Sequence, residues 1–245
     1  MGGKRRLAKH LLPMFPEHTC YVEPFCGGAA LFFLRPKPAK VEVLNDANGE
    51  LTNFYRVVQN HFDEFVRQFE WALTARETFE RLKATPPEYL TDIQRAARFF
   101  FLQQTAFGGK TTGQSFGTVT SKPAWSAADI ADRLHASRQR LAGVQIETGS
   151  WHKCFARYDR PHSFFYLDPP YWQTAGYGGS FEWAQYEKLA ETMADAQGKA
   201  MLSINDHPDI RALFKDFRTT RLELAYSINR DKTQKTSGEL VICNW

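Results

Sequence analysis

The sequence predicts an α/β fold with a mixed, mostly parallel sheet, and three observations predict it. Residues 21–23 and 41–44 have the composition of short strands, and an apolar segment between them begins a helix near Ala29. A strand, a helix and a second strand in this order favour parallel pairing of the two strands. The run SFFYL at 163–167 is typical of a third, buried strand, and a proline-stiffened loop follows it.

The remaining elements follow in chain order. Apolar residues recur at helical spacing from Leu51 to Phe69, and a helix over 93–104 is apolar on nearly all sides, which predicts that it is buried. Residues 105–125 are rich in Gly, Thr and Ser and predict a loop or small hairpin, after which Ser126 and Asp129 make a capping box for a helix that reaches Leu141. Further strands are predicted at 144–146, 200–204, 222–228 and 239–243, and a helix at 183–193. We therefore expect a core of residues 1–70 and 143–245, with residues 71–142 inserted as a helical and loop region.

The bulk composition limits the possible classes of protein. The 31 Lys and Arg residues against 27 Asp and Glu give a net charge of +4, which permits an anionic polymer as partner without requiring one. The four cysteines fit neither a zinc-binding spacing nor a disulfide framework, so we expect reduced thiols, a cytoplasmic location and no metal. No apolar stretch approaches the roughly 18 residues of a membrane span, so we expect no membrane contact.

The positions of the basic residues are more informative than the net charge. Lys4, Arg5, Arg6 and Lys9 open the chain. Others lie in turn-rich segments, where phosphate contacts would be expected: Lys110, Lys122, Arg230, Lys232 and Lys235. A solvated basic surface without a ligand is the alternative for each of them taken alone.

Four segments are predicted to share one edge of the sheet, because ligands of open α/β sheets bind beyond the carboxyl ends of the strands. These segments are 24–28, Asp46, 168–171 and 205–206. The Gly27-Gly28 turn would let the backbone approach a ligand at a helix start, but it lacks the spacing of the dinucleotide-binding motif. Asp46 suits the two hydroxyls of a ribose, although capping of the following helix is an equal alternative.

The D-P-P-Y segment at 168–171 carries the most specific chemistry. An aromatic amine is a poor nucleophile because its lone pair is delocalised into the ring. The Asp168 carboxylate and the carbonyl of Pro169, held rigidly because Pro169 and Pro170 have a fixed φ, can each accept one N–H and favour a pyramidal nitrogen. Tyr171 can stack on the same ring. The sulfonium methyl of S-adenosylmethionine is the matching electrophile and needs no metal.

At these residues the sequence resembles the Dam-like DNA adenine-N6 methyltransferases, over nearly the whole chain. The resemblance implies a Rossmann-like, S-adenosylmethionine-dependent methyltransferase fold that acts on DNA, with residues 71–142 as the target-recognition region. It implies a cofactor pocket formed by the G-G-K of Gly2, Gly3 and Lys4, by the Glu23–Ala29 segment and by Asp46. The cofactor-binding residues within that segment are Glu23, Pro24, Phe25, Gly27 and Gly28, and Asp168 lines the same pocket. Catalysis would fall to Asp168, Pro169, Pro170 and Tyr171, while Phe181 matches a second aromatic of the family and is expected at the DNA.

The chain departs from the family pattern at two places. Ala29 stands at the third glycine of the motif, which is compatible with the fold if the helix begins there without a positive φ. Segment 103–125 is shorter than the recognition region of GATC-specific members and lacks their Arg and Asn residues, which read guanine and adenine edges. We therefore hypothesise a short or relaxed target sequence.

The predicted activity is transfer of a methyl group to N6 of an adenine that is flipped out of the DNA, as in the enzymes of restriction-modification systems. We expect a monomer or weak dimer. The alternatives are an amino-group methyltransferase of RNA or protein, and a non-catalytic nucleic-acid-binding protein of the same fold. The related enzymes of RNA and protein more often have Asn at the position of Asp168, which favours DNA.

Overall fold

A computed structural model describes residues 3–71, 75–106, 115–117, 127–174, 181–224 and 237–245. The chain divides into two compact units. The core unit comprises Gly2–Ala47 and Gly149–Trp245, and the insert unit comprises Asn48–Thr148. The predicted boundaries of the inserted region, 71 and 142, stay a prediction about which residues recognise the target.

The strands and helices have the following bounds. The strands are β1 (Cys20–Glu23), β2 (Val41–Asp46), β3 (Gln145–Thr148), β4 (Ser163–Leu167), β5 (Lys199–Asn205), β6 (Arg218–Leu224) and β7 (Ser237–Cys243). The helices are α1 (Gly3–Leu11), α2 (Ala30–Leu34), α3 (Gly49–Asn60), α4 (Phe62–Arg67), α5 (Arg76–Ala84), α6 (Asp92–Thr105), α7 (Ala127–Leu141), α8 (Trp151–Tyr158), α9 (Trp183–Asp195) and α10 (Pro208–Leu213). Among these helices, none has the length and apolarity that crossing a membrane would require.

The core unit contains the predicted mixed, mostly parallel sheet, in the order β2-β1-β4-β5-β7-β6. Strands β2, β1, β4 and β5 are parallel, and β7 runs antiparallel between β5 and β6. From β1 the chain passes to β2 on one side of it and later to β4 on the other. The connections therefore diverge between β1 and β4, and this divergence is where such sheets bind ligands.

Helices and strands of the core unit share one apolar core. Strand β4 is buried at all five positions, as its sequence predicts. The ring of Phe165 on this strand stacks on Phe155 of α8 with the centroids 3.8 Å apart. From α9, the apolar stripe Tyr186, Leu189, Ala190 and Met193 packs into the same core. The helix predicted at 183–193 therefore packs its apolar side on this core.

The insert unit has an aromatic core of its own. Phe65 and Phe100 pack edge to face at 5.6 Å, and α6 buries Ala96, Phe100 and Phe101, as the apolar sequence of that helix predicts. A Thr91–Gln94 capping box begins α6. An isolated antiparallel bridge joins Ala106 to Phe116, which fits the small hairpin among the predicted alternatives. Most of segment 105–125, and Ser126 of the predicted capping box, lie outside the described residues.

The structure corrects the predicted elements in three respects. The helical spacing from Leu51 to Phe69 belongs to two helices, because the chain leaves helical geometry at His61 before α4 begins. Strand β6 begins at Arg218 and so starts earlier than predicted, while residues 225–228 are outside the described part. Helices α1, α5, α8 and α10 were not predicted; none of them is longer than 9 residues, and short helices contain few repeats of the apolar period.

Candidate active site

The topology brings the four predicted site segments to one edge of the core unit. Strand β1 ends at Glu23, β2 at Asp46, β4 at Leu167 and β5 at Asn205, and these strands are parallel neighbours. Segments 24–28 and 168–171 therefore leave the sheet side by side, with Asp46 and Asn205 flanking them. The prediction of a shared edge is confirmed.

The loop after β1 is held by the end of β2. The Cys26 N–H donates to the carbonyl of Asn45 at 2.9 Å, and the Gly27 N–H donates to Asp46 Oδ2 at 2.9 Å. The Asn45 side-chain amide donates to the carbonyl of Pro24 at 2.9 Å. Asp46 therefore orients the glycine turn, as well as standing where a ribose was predicted.

Two residues of this loop have a left-handed backbone. Gly27 has a φ of 46°, and Ala29 has a φ of 47° and a ψ of 41° at the start of α2. The condition under which Ala29 was expected to be compatible with the fold, a helix start without a positive φ, is not met. A residue with a Cβ in this region costs roughly 1–2 kcal/mol, so the backbone is strained at Ala29.

Glu23, a predicted cofactor-binding residue, is engaged within the protein. The Tyr21 hydroxyl donates to Glu23 Oε1 at 2.6 Å, and the Phe32 N–H donates to the same oxygen at 3.0 Å. Burial raises the pKa of Glu23 to about 8, so this carboxyl is largely protonated at neutral pH. Its observed role is to join the end of β1 to helix α2.

A short segment before α8 also reaches this edge and was not predicted as part of the site. The Gly149 N–H donates to the carbonyl of Asp46 at 3.1 Å, and its carbonyl accepts from the Asn45 side chain at 3.1 Å. The next residue, Ser150, has a buried hydroxyl oxygen with no hydrogen-bond partner in the described part of the chain. A buried unpaired hydroxyl is costly, so a ligand that pairs with it would gain by binding here.

The loop after β4 is fixed by side chains from two later elements. Asn205, at the end of β5, accepts from the Trp172 N–H at 2.9 Å and donates to the Trp172 carbonyl at 3.0 Å. The Tyr186 hydroxyl on α9 donates to the carbonyl of Pro170 at 2.7 Å. Within the described residues, the carbonyl of Pro169 accepts no hydrogen bond. The loop is thus held at its middle and its end, and Pro169 keeps an acceptor for a ligand.

A charged network surrounds the D-P-P-Y residues. The Lys4 ammonium lies 3.0 Å from Asp168 Oδ1, donates to the Tyr171 hydroxyl at 2.9 Å and pairs with Glu239. The Tyr171 hydroxyl in turn donates to Glu239 Oε2 at 2.6 Å. Glu239 stands at the start of β7, opposite Asn205, and only 3% of its surface is exposed. The observed contacts place Lys4 at the loop after β4.

The ionisation of these groups follows from burial and mutual charge. Burial and, to a smaller extent, the charge of Glu239 raise the pKa of Asp168 to about 6, against the opposing effect of the Lys4 cation. Burial alone would lower the pKa of Lys4, but the surrounding carboxyl and phenol groups raise it well above its ordinary value. Burial also raises the pKa of the Tyr171 phenol. At neutral pH the network therefore contains a lysine cation, a neutral phenol and a largely ionised Asp168.

Aromatic side chains connect the two loops. Phe25 lies against Trp151 at 5.8 Å between centroids and meets Phe181 edge to face at 5.6 Å. Phe181 also packs edge to face on Tyr186 at 4.8 Å. The structure thus places Phe181, predicted at the DNA, between the loop after β1 and the helix that supports the loop after β4.

The structure brings most predicted site residues together and adds others. Those at the common edge are Lys4, Glu23, Pro24, Phe25, Gly27, Gly28, Asp46, Asp168, Pro169, Pro170, Tyr171 and Phe181. Lys110, Lys122, Arg230, Lys232 and Lys235 lie outside the described residues, as does Gly2. Sequence reasoning assigned no role to Asn45, Ser150 or Glu239. A lone Glu at the head of the apolar strand ELVIC was the available signal for Glu239.

The fold is that of the predicted class, a methyltransferase with a mostly parallel sheet, and the D-P-P-Y loop lies at the switch point of this sheet. Comparison with known families gives the particular family. The model of the D12 class N6 adenine-specific DNA methyltransferases matches residues 1–228. The chain belongs to this family, and the predicted activity on N6 of adenine in DNA is confirmed at that level.

Curated relatives agree with the family assignment. The chain is similar to the type II methyltransferase M1.LlaDCHI of Lactococcus lactis subsp. cremoris, with 26% identity over 100% of this chain and 93% of the relative. It is also similar to the type II methyltransferase M.CviBI of Paramecium bursaria Chlorella virus NC1A, with 26% identity over 92% and 88% of the two chains. The DNA adenine methylase of Escherichia coli K12 is 25% identical over 78% of this chain and 72% of its own.

Proposed function

We propose that the chain transfers a methyl group from S-adenosylmethionine to N6 of an adenine that has been flipped out of DNA. Asp168 and the carbonyl of Pro169 accept the two N–H groups of that amine. The observation that carries the proposal is the loop after β4, where Asp168 and the unengaged Pro169 carbonyl are held rigidly beside the loop that ends at α2.

The residues present fit S-adenosylmethionine on two counts. Asp46 has a carboxylate at the end of β2, where a ribose binds in sheets of this kind. Ser150 presents a buried, unpaired hydroxyl next to Gly149, which is itself bonded to Asp46. We assign the methionine moiety to Glu23, Pro24, Phe25, Gly27 and Gly28, and a supporting role to Lys4. When bound, the cofactor supplies a methyl group on a positively charged sulfur, and the protein needs only to present a nucleophile in line with it.

An ionised Asp168 accepts an N–H from the amine more strongly than a protonated one, and only the ionised form can stabilise positive charge on the nitrogen. The Lys4 cation favours this state, because it opposes the increase in pKa that burial causes. As the nitrogen attacks, it acquires positive charge, and the Asp168 carboxylate stabilises that charge. One of its protons must then leave; with a pKa of about 6, Asp168 is basic enough to hold it briefly.

Tyr171 has its hydroxyl fixed by Lys4 and Glu239, so its ring has one orientation at the loop. We propose that this ring stacks on the flipped adenine, since base–aromatic stacking needs a ring that is already held in place. Pro170 contributes through its fixed φ, and Tyr186 holds its carbonyl away from the substrate.

The DNA contacts remain predictions from the sequence. We propose that Lys110, Lys122, Arg230, Lys232 and Lys235 bind phosphates, that Phe181 supports the flipped base, and that the target sequence is short or relaxed. The type II methyltransferases among the relatives make a role in restriction-modification a specific extension of this proposal.

A transfer assay with matched variants tests the chemistry. The protein is incubated with S-adenosylmethionine that carries a labelled methyl group and with DNA or RNA, and the nucleosides are analysed by mass spectrometry. We expect labelled N6-methyladenine from DNA. Asp168→Asn should lower the rate by roughly 10²- to 10³-fold, the cost of losing a key transition-state partner.

The exposed variant Asp216→Asn, which removes the same charge at a site without a described contact, should retain the wild-type rate. Full activity in Asp168→Asn would refute the catalytic assignment. Label found only in RNA would refute the proposed substrate.

A further inference from the structure

Helix α1 presents cations on two sides. Its buried side contains Leu7, Ala8 and Leu11, and Lys4 continues that side into the catalytic loop. On its other side the exposed residues are Arg5, Arg6, Lys9 and His10. In the described part of the chain, none of these four residues makes an ion pair or a side-chain hydrogen bond.

This exposed basic face does not help the helix to form. The sequence GKRRLAKHL has no acidic residue, and its cations begin in the first turn, where the positive end of the helix dipole repels them. Arg5 and Lys9 are also a like-charge pair four residues apart, which is unfavourable on a helix. A partner with negative charge would remove both penalties, so the face is suited to an anionic ligand.

The position of the face identifies the ligand. The Lys4 side chain contacts Asp168 and Tyr171, and Arg5 and Arg6 follow it within the same turn of α1, since a helix rises by about 1.5 Å per residue. The substrate of this family is DNA, whose phosphates flank any flipped base on both sides. The carboxylate of the methyl donor, the other anion expected at this edge, is assigned to the loop after β1.

We propose that the exposed face of α1, with Arg5 and Arg6 foremost, binds the phosphate backbone of the substrate DNA next to the flipped adenine. The inference rests on the proposed function in one respect, the placement of the target base at 168–171. The guanidinium groups contact phosphates and leave the base edges to other residues. Their contribution is therefore the same for all DNA sequences.

Two pairs of substitutions test this surface. Arg5→Gln with Arg6→Gln removes two charges beside the catalytic loop and keeps helix propensity. Lys215→Gln with Arg218→Gln removes two exposed charges of the same unit, one after α10 and one at the start of β6, at the opposite edge of the sheet. Both pairs change the net charge equally, and they differ in their position on the unit. Thermal unfolding should show no loss of stability in either variant, since all four side chains are exposed and the cations in the first turn of α1 are unfavourable to that helix.

The measurement is the dissociation constant for a short DNA duplex at several salt concentrations. For the Arg5/Arg6 variant, we expect the slope of log K against log salt to be smaller in magnitude by about 1.8, since each phosphate contact contributes roughly 0.9. The loss should be equal on duplexes of unrelated sequence. For the Lys215/Arg218 variant, we expect a slope within about 0.5 of the wild type.

Equal changes in both variants would show only a general effect of charge and would refute the proposal that the exposed face of α1 binds DNA. No change in either variant would refute it as well. The binding assay requires no methyl transfer. A wild-type protein that binds DNA without methylating it would refute the proposed chemistry, and the two variants would still decide whether α1 contacts DNA.

Discussion

Two loops follow neighbouring parallel strands of the core unit, yet they are held in different ways. The loop after β1 depends on its own backbone and on the end of the adjacent strand: Gly27 and Ala29 are left-handed, and Asn45 and Asp46 bond its peptide groups. The loop after β4 depends on side chains from distant parts of the sequence, namely Lys4, Tyr186, Asn205 and Glu239.

The difference separates two tasks of a group-transfer site. The loop after β1 is held mainly by hydrogen bonds to its peptide groups, and a fixed backbone shape suits the binding of a cofactor. The loop after β4 is surrounded by charged groups, so its properties depend on their ionisation, and the activation of the amine that we propose for Asp168 is strongest when this carboxyl is ionised. The two loops should therefore respond differently to substitution: one in affinity for the methyl donor, the other in rate and pH dependence.

Removal of the Lys4 cation is expected to have the largest effect, because it leaves the buried Glu239 and the partly buried Asp168 without their shared cation. Loss of one partner of a buried ion pair costs roughly 3–5 kcal/mol, so Lys4→Met should lower the free energy of unfolding by that amount in urea titration.

Asp168 acts in its ionised form in the proposed reaction, so activity persists above its pKa and is lost as the pH falls through that pKa. For the wild type, kcat/KM should decline below about pH 6. Without Lys4 the pKa rises and the decline begins at higher pH.

Glu239→Gln should shift the pKa of Asp168 in the direction opposite to Lys4→Met. Glu239 raises the pKa of Asp168, so its neutralisation should move the acidic limb of kcat/KM to lower pH. The double variant Lys4→Met with Glu239→Gln leaves fewer uncompensated charges and should regain part of the lost stability. If both single variants moved the limb in the same direction, the network around Asp168 would not govern the reaction.

Two asparagines compare the loops directly. Asn205→Ala frees both peptide groups of Trp172, so we expect the rate of methyl transfer at saturating cofactor to fall by roughly 10- to 100-fold, the cost of a small displacement of reacting groups. Asn45→Ala leaves the carbonyls of Pro24 and Gly149 without this donor. It should mainly weaken binding of S-adenosylmethionine, measured by calorimetry, and lower stability by about 1–3 kcal/mol.

Asn244 provides the matched control for this pair. Its side chain bonds the peptide groups of Met193, Gly198 and Ala200 near the start of β5, at the other edge of the sheet. Asn244→Ala should lower stability by a similar amount and leave both kinetic quantities near wild type. Equal kinetic losses in all three variants would show that stability alone is being measured, and the distinction between the loops would fail.

The sequence predicted the parts of the site that short motifs specify. The D-P-P-Y residues, the glycine turn and Asp46 are each legible in a few adjacent positions, and the ends of the parallel strands place them together. The apolar run of β4 likewise predicted a buried strand, because a strand that is buried on both faces is apolar at nearly every position. These calls rest on local sequence and on the general geometry of α/β sheets.

The contacts of Lys4 and the role of Glu239 could not be predicted, because they depend on strand order. Glu239 reaches the loop only because β7 inserts between β5 and β6, opposite Asn205, and nothing local to ELVIC specifies that order. Lys4 was predicted at the cofactor from family resemblance alone, and its partners are 164 or more residues away. The break at His61 was missed because α4 continues the apolar spacing of α3.

The smallest effects concern the backbone of the loop after β1. A Cβ added at Gly27 would meet no atom within 4 Å, so Gly27→Ala should lower the free energy of unfolding only through the strain of a left-handed backbone, by roughly 1–2 kcal/mol.

Ala29→Gly releases a strain of the same size. It also loses a buried methyl group and adds freedom to the unfolded chain, which together cost about 1–2 kcal/mol. These two contributions offset each other, so Ala29→Gly should change the free energy of unfolding by less than about 1 kcal/mol in urea titration. An Ala in an ordinary conformation has no strain to release and would lose the full amount on substitution. A loss of that size at Ala29 would show that the backbone of this loop is unstrained, and would remove the feature that most clearly distinguishes it from the loop after β4.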